Sequence, residues 1–480
     1  MKLTDQHKTE PLELDPERCR AARLSRDSRF DGEFFLAVKT TGIYCRPVCP
    51  ARPPAEKNVS YFRHAAQAAK SGYRPCLRCR PESAPNSPAW RGTSTTVQRA
   101  LDLIGAGALN GESVEELASR LGVGERYLRK LFEREVGASP VAVAQNQRLL
   151  FAKKLLAETA LSVTDIAYAA GYSSVRRFNS AIRSSFNTTP SAMRKIQGRD
   201  STDYAITLQL QYRPPYDWDG VMDFFSRHAI DGVERVDGSS YQRNLLLNEE
   251  AGHMRVSHLP QRNALQLQLT ESDPSQLLKI VARVRRMFDL DANPQFIHEA
   301  LSRDVVFKSL LHRFPGIRAP AHGSIFESTV RAIVGQQVSI QAARKVISRL
   351  AATTSQNKNL APDGLFFPAP EDLFLLGDKH FPMPTRRRDT LKTVSKYTYD
   401  HDREIDLEIL AQFKGIGPWT TGIVAMRGYS DPDIFPTGDL GLVKAYAAIA
   451  GDIKLDKNLT LAWRPWRSYA ANLLWRSLSA

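Results

Sequence analysis

Cys45-Arg46-Pro47-Val48-Cys49, followed 27 residues later by Cys76-Leu77-Arg78-Cys79, gathers four of the chain's five cysteines into two close pairs. Two thiolates two or three residues apart can meet one ion from a tight turn, and a second such pair completes a tetrahedral shell. The spacing predicts one four-cysteine zinc site. Taken alone it fits a closed structural ribbon as well as a reactive centre. Cys19 stands apart as an ordinary thiol.

Around this cluster the composition sets limits. A chain of 480 residues is long enough for three or four domains at about 150 residues each. No apolar run approaches the ~18 residues of a membrane span, and no signal-peptide core follows Met1. The sequence therefore points to the cytoplasm, where paired thiols bind metal rather than oxidise. The net charge of +15 is uneven: residues 1–200 hold 32 Lys and Arg against 20 Asp and Glu, a net of +12, which leaves +3 for the rest. An anionic polymer is the expected partner of the first part.

Residues 97–195 contain a repeat offset by 49 to 50 positions. Ser113-Val-Glu-Glu116-Leu-Ala118 matches Ser162-Val-Thr-Asp165-Ile-Ala167, Gly122 matches Gly171, and Pro140 matches Pro190. Each copy opens with a serine followed three residues later by an acid, a capping-box pattern. Each then runs through a short helix and a glycine turn into a second helix, Glu125 to Arg134 in one copy and Ser174 to Ser184 in the other. That is a helix-turn-helix stated twice. Arg126, Arg129 and Lys130 on the first, and Ser174, Arg176, Arg177 and Asn179 on the second, are candidates to face DNA. A linker is expected at 198–202.

Beyond Tyr204 the pattern changes. Ile206–Tyr212 and Ala264–Leu269 alternate apolar and polar residues, as antiparallel strands do. From about Asn293 the pattern is helical, with a loop-rich stretch expected near Thr353 to Pro370. Phe413-Lys414-Gly415-Ile416-Gly417-Pro418-Trp419 predicts a tight hairpin feeding a helix whose first turn accepts Pro418, and whose free N–H groups can hold a DNA phosphate. Asp439 reads as the cap of a helix over Leu442 to Ile449, or as a functional carboxylate.

Three resemblances sharpen these expectations. Phe34 to Cys49 together with Gly72-Tyr-Arg-Pro-Cys-Leu-Arg-Cys79 closely resembles the metal-binding domain of the Ada family. That likeness implies Cys45 as acceptor of a methyl group from a DNA methylphosphotriester, with Cys49, Cys76 and Cys79 as the remaining zinc ligands. The repeat resembles the AraC-type DNA-binding domain. From Tyr204 to Trp475 the chain is similar to AlkA-type 3-methyladenine DNA glycosylases, through Pro214-Pro-Tyr-Asp-Trp218, Met287-Phe-Asp-Leu290, Arg331-Ala-Ile-Val-Gly-Gln-Gln-Val-Ser339, the hairpin, and Trp466-Arg-Ser-Tyr-Ala470. That likeness implies Asp439 as catalytic, Gln337 as the wedge entering the duplex, Gly415 and Gly417 as the phosphate-binding hairpin, and Phe224, Trp419 and Trp475 as walls of the base pocket. Trp419 stands where bifunctional relatives carry a Schiff-base lysine, which implies simple hydrolysis. Ile423 replaces a pocket aromatic, and Gln337 is a polar wedge. Ada proteins commonly carry a second, alkylguanine-accepting cysteine, but no cysteine follows Cys79.

The expected architecture is multidomain, mainly α with α+β parts: a zinc domain over 1–88, an all-α double helix-turn-helix over 92–198, an antiparallel β/α domain over 203–292, and an all-α helix-hairpin-helix glycosylase domain over 293–480. The expected function is repair of alkylated bases joined to a methyl-triggered transcriptional response. One Zn2+ is the expected cofactor, and alkylated and promoter double-stranded DNA the expected partners. RNA polymerase is a further expected partner, and the chain a monomer with no membrane association. One alternative keeps the regulator and makes the C-terminal half a damage-binding module without turnover. Another reduces the N-terminal part to a DNA tether.

Overall fold

Strand β1 (Phe35–Val38) buries every side chain, and the turn that follows places Gly42 at φ +64°, a conformation that favours glycine. The turn returns the chain as β2 (Ile43–Cys45), antiparallel to β1 with Leu36 opposite Cys45, while β3 (Val59–Phe62) pairs with the other edge of β1. A short β4 (Arg74–Pro75) lies parallel to β2, completing the order β3-β1-β2-β4. Helix α1 (Pro16–Ser25) is capped by Asp15, and α2 (Ala65–Lys70) packs Ala65 and Ala68 among Phe35, Tyr44 and Leu150.

The computed structural model describes residues 14–76, 78, 79, 81, 95–195, 206–247, 250–270, 273–356, 364–401, 405–436, 438–450 and 455–478. The chain divides into two units: Met1–Pro214 with Asp273–Ala282 and Asp291–Asn293, and Pro215–Ser272 with Arg283–Leu290 and Pro294–Ala480. The linker expected at 198–202 lies outside the described residues.

In the first unit, α3 (Thr95–Gly105) precedes the two repeats. The first contributes α4 (Val114–Arg120) and α5 (Glu125–Glu135); α6 (Pro140–Glu158) connects it to α7 (Val163–Ala169), α8 (Val175–Phe186) and α9 (Pro190–Lys195). Leu117, Leu128, Leu131 and Phe132 are at most 2% exposed and join one core, each contributing about 1.5–3 kcal/mol by burial. The two caps differ in detail. Ser113 and Glu116 form a reciprocal capping box, whereas Ser162 accepts from the Asp165 N–H and donates its hydroxyl to the Asp165 side chain. Strand β5 (Ile206–Gln211) alternates as expected.

In the second unit, α10 (Trp218–His228) is followed by β6 (Glu234–Val236), β7 (Ser240–Leu247), β8 (Glu250–Leu259) and β9 (Ala264–Thr270), successive neighbours pairing antiparallel. Sequence pattern exposed only β9 of these four. On β7 the core positions are Tyr241, Arg243 and Leu245, so a charged residue interrupts the apolar alternation. Arg243 is tolerated there because it pairs with Glu234 and Glu327, which also hold Arg331. Burial alone would raise the Glu327 carboxyl, but Arg243 and Arg331 hold it down at about 2.

Helix α11 covers Leu277–Met287. The helical part then comprises α12 (Pro294–Leu301), α13 (Val305–Arg313), α14 (Ile325–Val334), α15 (Ile340–Gln356), α16 (Pro370–Leu375), α17 (Thr385–His401), α18 (Leu407–Leu410), α19 (Pro418–Arg427), α20 (Leu440–Ala450), α21 (Lys457–Leu461) and α22 (Arg467–Ser477). The loop expected from Thr353 starts later than the composition suggested. Thr353 and Thr354 return their hydroxyls to the carbonyls of Arg349 and Leu350 at 2.9 and 3.0 Å, and α15 continues to Gln356.

Candidate functional site

The parallel pairing of β4 with β2 brings the two cysteine pairs together. Cys45 ends β2, Cys76 follows β4, and the Cys76 N–H donates to the Tyr44 carbonyl at 3.0 Å. The four Sγ atoms lie within 4.8 Å of one another. A tetrahedron with Zn–S bonds of ~2.3 Å needs sulfurs about 3.8 Å apart, so the cage fits the ion. Backbone N–H groups of Arg46 and Arg78 donate to Cys79 Sγ at 3.3 Å and Cys76 Sγ at 3.4 Å, which favours thiolates. Arg46 is buried, pairs with Asp31 (Nε to Oδ1, 2.7 Å) and donates to the Cys79 carbonyl at 3.1 Å, putting a fixed cation beside the cluster. Cys45 is 8% exposed, while Cys49 is the more open of the first pair.

On α5, Arg126, Arg129 and Lys130 are all exposed, and Arg129 pairs with Glu125. On α8, Arg176 and Arg177 are exposed, Asn179 is half-buried, and the Ser174 hydroxyl accepts from the Arg177 N–H, capping the helix. Arg176 and Asn179 line an open groove with Ser180, Arg183 and Ser184. Sequence reasoning missed the last three, although they recur at helical spacing from Arg176.

The second unit assembles a different site. Gly415 adopts φ +93°, and a Cβ there would meet Thr390 Oγ1 at 2.5 Å. Gln336 Nε2 donates to the Gly415 carbonyl at 2.9 Å and to Thr420 Oγ1 at 3.0 Å, bracing the hairpin. Gly417 is the N-cap of α19, with Pro418 at the first turn as expected. Gln337 is exposed and left-handed at φ 56°, beside Val338, which is 41% exposed.

Asp439 performs two tasks at once. Its Oδ1 accepts from the Leu442 N–H at 3.0 Å, the capping bond at the start of α20. The same oxygen accepts from Trp475 Nε1 at 3.2 Å, and Oδ2 accepts from Trp419 Nε1 at 3.4 Å. Trp419 opens α19 and Trp475 lies near the end of α22, so two expected pocket aromatics converge on the carboxylate with their indole N–H groups. Phe224 on α10 reaches Trp475 indirectly: the Arg427 guanidinium carbon lies 4.5 Å from the Phe224 ring centroid and 5.3 Å from that of Trp475. Arg427 and Gln336 were not foreseen, because neither an arginine within an apolar helix nor the first of two glutamines carries a pattern of its own.

Comparison with known proteins follows the same division. Residues 18–82 match the model of the metal-binding domain of Ada, 117–196 a helix-turn-helix domain, and 207–324 the AlkA N-terminal domain. A Mycobacterium tuberculosis protein described as a "Probable bifunctional transcriptional activator/DNA repair enzyme AlkA" is 38% identical over 483 residues, covering 97% of each chain. The chain belongs to this bifunctional AlkA family. Within the family's two halves, DNA-3-methyladenine glycosylase 2 of Escherichia coli is 30% identical over 55% of this chain and 95% of its own. The bifunctional transcriptional activator/DNA repair enzyme Ada of Escherichia coli is 37% identical over 30% of this chain and 39% of its own. With the Ada match and the fitting cage, the four cysteines are the ligands of one Zn2+.

Proposed function

We propose that this AlkA-family protein is a DNA glycosylase that hydrolyses the N-glycosidic bond of alkylated bases such as 3-methyladenine, joined to a methyl-accepting transcriptional regulator. The convergence of two indole N–H groups and a helix N-terminus on Asp439 carries the glycosylase assignment. An N-alkylated purine is cationic and already a good leaving group. The protein must extrude the nucleotide, hold the base in an aromatic cleft, and place a carboxylate and a water beside the developing sugar cation. Asp439 is oriented by its donors, and Oδ2, which accepts only the longest of the three bonds, is the oxygen assigned to the reaction. There it stabilises the oxocarbenium and orients or deprotonates the water. Phe224, Trp419 and Trp475 form the cleft, which attracts a cationic base by about 0.5–2 kcal/mol per contact. Gln337 fills the space the base leaves, and Gly415 and Gly417 bind a phosphate through backbone N–H groups.

In the first unit Cys45 is the methyl acceptor. Zinc keeps its sulfur as thiolate at neutral pH. The thiolate attacks the methyl carbon, the S–C bond forms, the C–O bond breaks, and an ordinary phosphodiester leaves. The cluster then carries one negative charge fewer, and its repulsion of DNA phosphate falls. At 4 Å that change is worth roughly 1 kcal/mol in water and about 4 kcal/mol at an effective dielectric of 20. Promoter DNA then binds through Arg126, Arg129, Lys130, Arg176, Arg177 and Asn179, and RNA polymerase is recruited by a monomer in the cytoplasm. The working segments are 1–88, 92–198, 203–292 and 293–480.

Release of free base from duplex DNA carrying N-methylpurines, measured for the intact protein and for Asp439→Asn, tests the enzyme. Release by the first and its loss in the second, with DNA binding retained, is expected. No release by the intact protein would reduce the C-terminal half to a binding module. Peptide mass mapping after exposure to methylphosphotriester DNA tests the acceptor: one methyl per chain is expected on Cys45, and a methyl on the more open Cys49 would overturn that assignment.

A further inference from the structure

Arg427 ends α19, the helix that the hairpin and Trp419 begin, and is 6% exposed. Its Nη1 donates to the Pro320 carbonyl at 2.6 Å and its Nη2 to Asn472 Oδ1 at 2.9 Å. Both acceptors are neutral, and among the described residues no carboxylate forms an ion pair with it. Its charge faces the rings of Phe224 and Trp475, at 4.5 and 5.3 Å. The Asp289 carboxylate favours its charge only from beyond ion-pair distance, so the buried cation remains expensive, and an apolar side chain of the same volume would pack there without that cost. Two other buried arginines of this unit, Arg243 and Arg331, have carboxylate partners, while Arg318 donates to the Pro215 carbonyl at 2.9 Å and lies over the Tyr216 ring.

We propose that Arg427 is a specificity-determining residue whose guanidinium, held against Phe224 and Trp475, offsets the cleft's attraction for cationic bases and so admits neutral damaged purines alongside alkylated ones. The physical basis is the ring quadrupole. An aromatic face attracts a cation because it is electron-rich. A permanent positive charge against the same rings draws on that density and repels a second cation, while a neutral base loses nothing by its presence. Trp475 also connects this arginine to the chemistry, because its ring meets Arg427 and its N–H meets Asp439. The guanidinium donates to Pro320 and Asn472 and acts on the base through the two rings.

This inference rests on the glycosylase function proposed above, and one experiment separates the two. The ratio of kcat/KM for duplexes carrying 7-methylguanine, a cationic base, to that for duplexes carrying hypoxanthine, a neutral one, is measured for the intact protein, Arg427→Met and Arg427→Lys. Removing the charge is expected to raise the ratio about tenfold, and Arg427→Lys, which keeps it, to stay within about twofold of the intact protein. A merely structural role would lower both rates together and leave the ratio unchanged in Arg427→Met, which would overturn the proposal, as would an equal rise in Arg427→Lys. Should Arg427→Met not fold, Asn472→Asp neutralises the guanidinium in place, and its ratio is expected to rise in the same direction; an unchanged ratio there overturns the proposal. Failure of the intact protein to release either base would instead refute the glycosylase function itself.

Discussion

The thiolate cluster and the Asp439 cleft are assembled in opposite ways. The four cysteines are carried by two turns, and one parallel strand pairing, β2 with β4, is enough to join them. The cleft draws on α10, α19, α20 and α22, with its side chains running from Phe224 to Trp475. In the proposed function the first site is consumed when it reacts, because its nucleophile keeps the methyl. The second, in the same reading, turns over, because its carboxylate is returned unchanged. A local, metal-held construction suits a reagent used once, and a packed helical construction suits a catalyst that must hold a carboxylate in one orientation through many cycles.

The sharpest way to break this contrast is removal of zinc. Methyl uptake is expected to vanish on treatment with a strong chelator, because the ion both holds the thiolates and organises β2, β4 and their turns. Base release should persist at close to its original rate, since among the described residues of the second unit none belongs to a cysteine cluster. The check is a pair of assays on one chelated sample. Loss of both activities would mean that the two sites depend on each other. The converse variant, Asp439→Asn, is expected to lower base release about 10³-fold while methyl uptake is unaffected.

The same contrast explains what was legible in the sequence. Cys45, Cys49, Cys76 and Cys79 announced themselves by spacing, and the paired Ser113 and Ser162 caps announced the helix-turn-helix repeat. The hairpin glycines did so too, because Gly415 requires φ +93° and a close approach to Thr390. Asp439 reads in the sequence as a cap or as a functional carboxylate, and the structure gives it the capping bond from Leu442 together with two indole N–H donors. What stayed hidden is what long-range packing decides. Arg243 masks the alternation of β7 because its partner Glu327 lies 84 positions away. Arg427 looks like a surface residue until α10 and α22 place two rings against it. Arg46, by contrast, sits next to the metal ligand Cys45 and was still missed, since nothing local reveals its pairing with Asp31.

The smallest expected effect probes how the cleft holds its carboxylate. Trp475→Phe and Trp419→Phe each keep an aromatic ring for the base and remove one N–H donor from Asp439. A hydrogen bond to a charged group is worth ~1.5–3 kcal/mol, and both rings are half-buried, so the lower end applies and a fall in kcat of about tenfold is expected for Trp475→Phe. Trp419→Phe should cost less, because its bond is longer, 3.4 against 3.2 Å. Since the rings remain, KM for alkylated duplex should hardly move in either variant. Single-turnover kinetics separate the two parameters. A rise in KM with kcat intact would show that the indoles serve base binding alone, and that the cap bond from Leu442 is sufficient to orient Asp439.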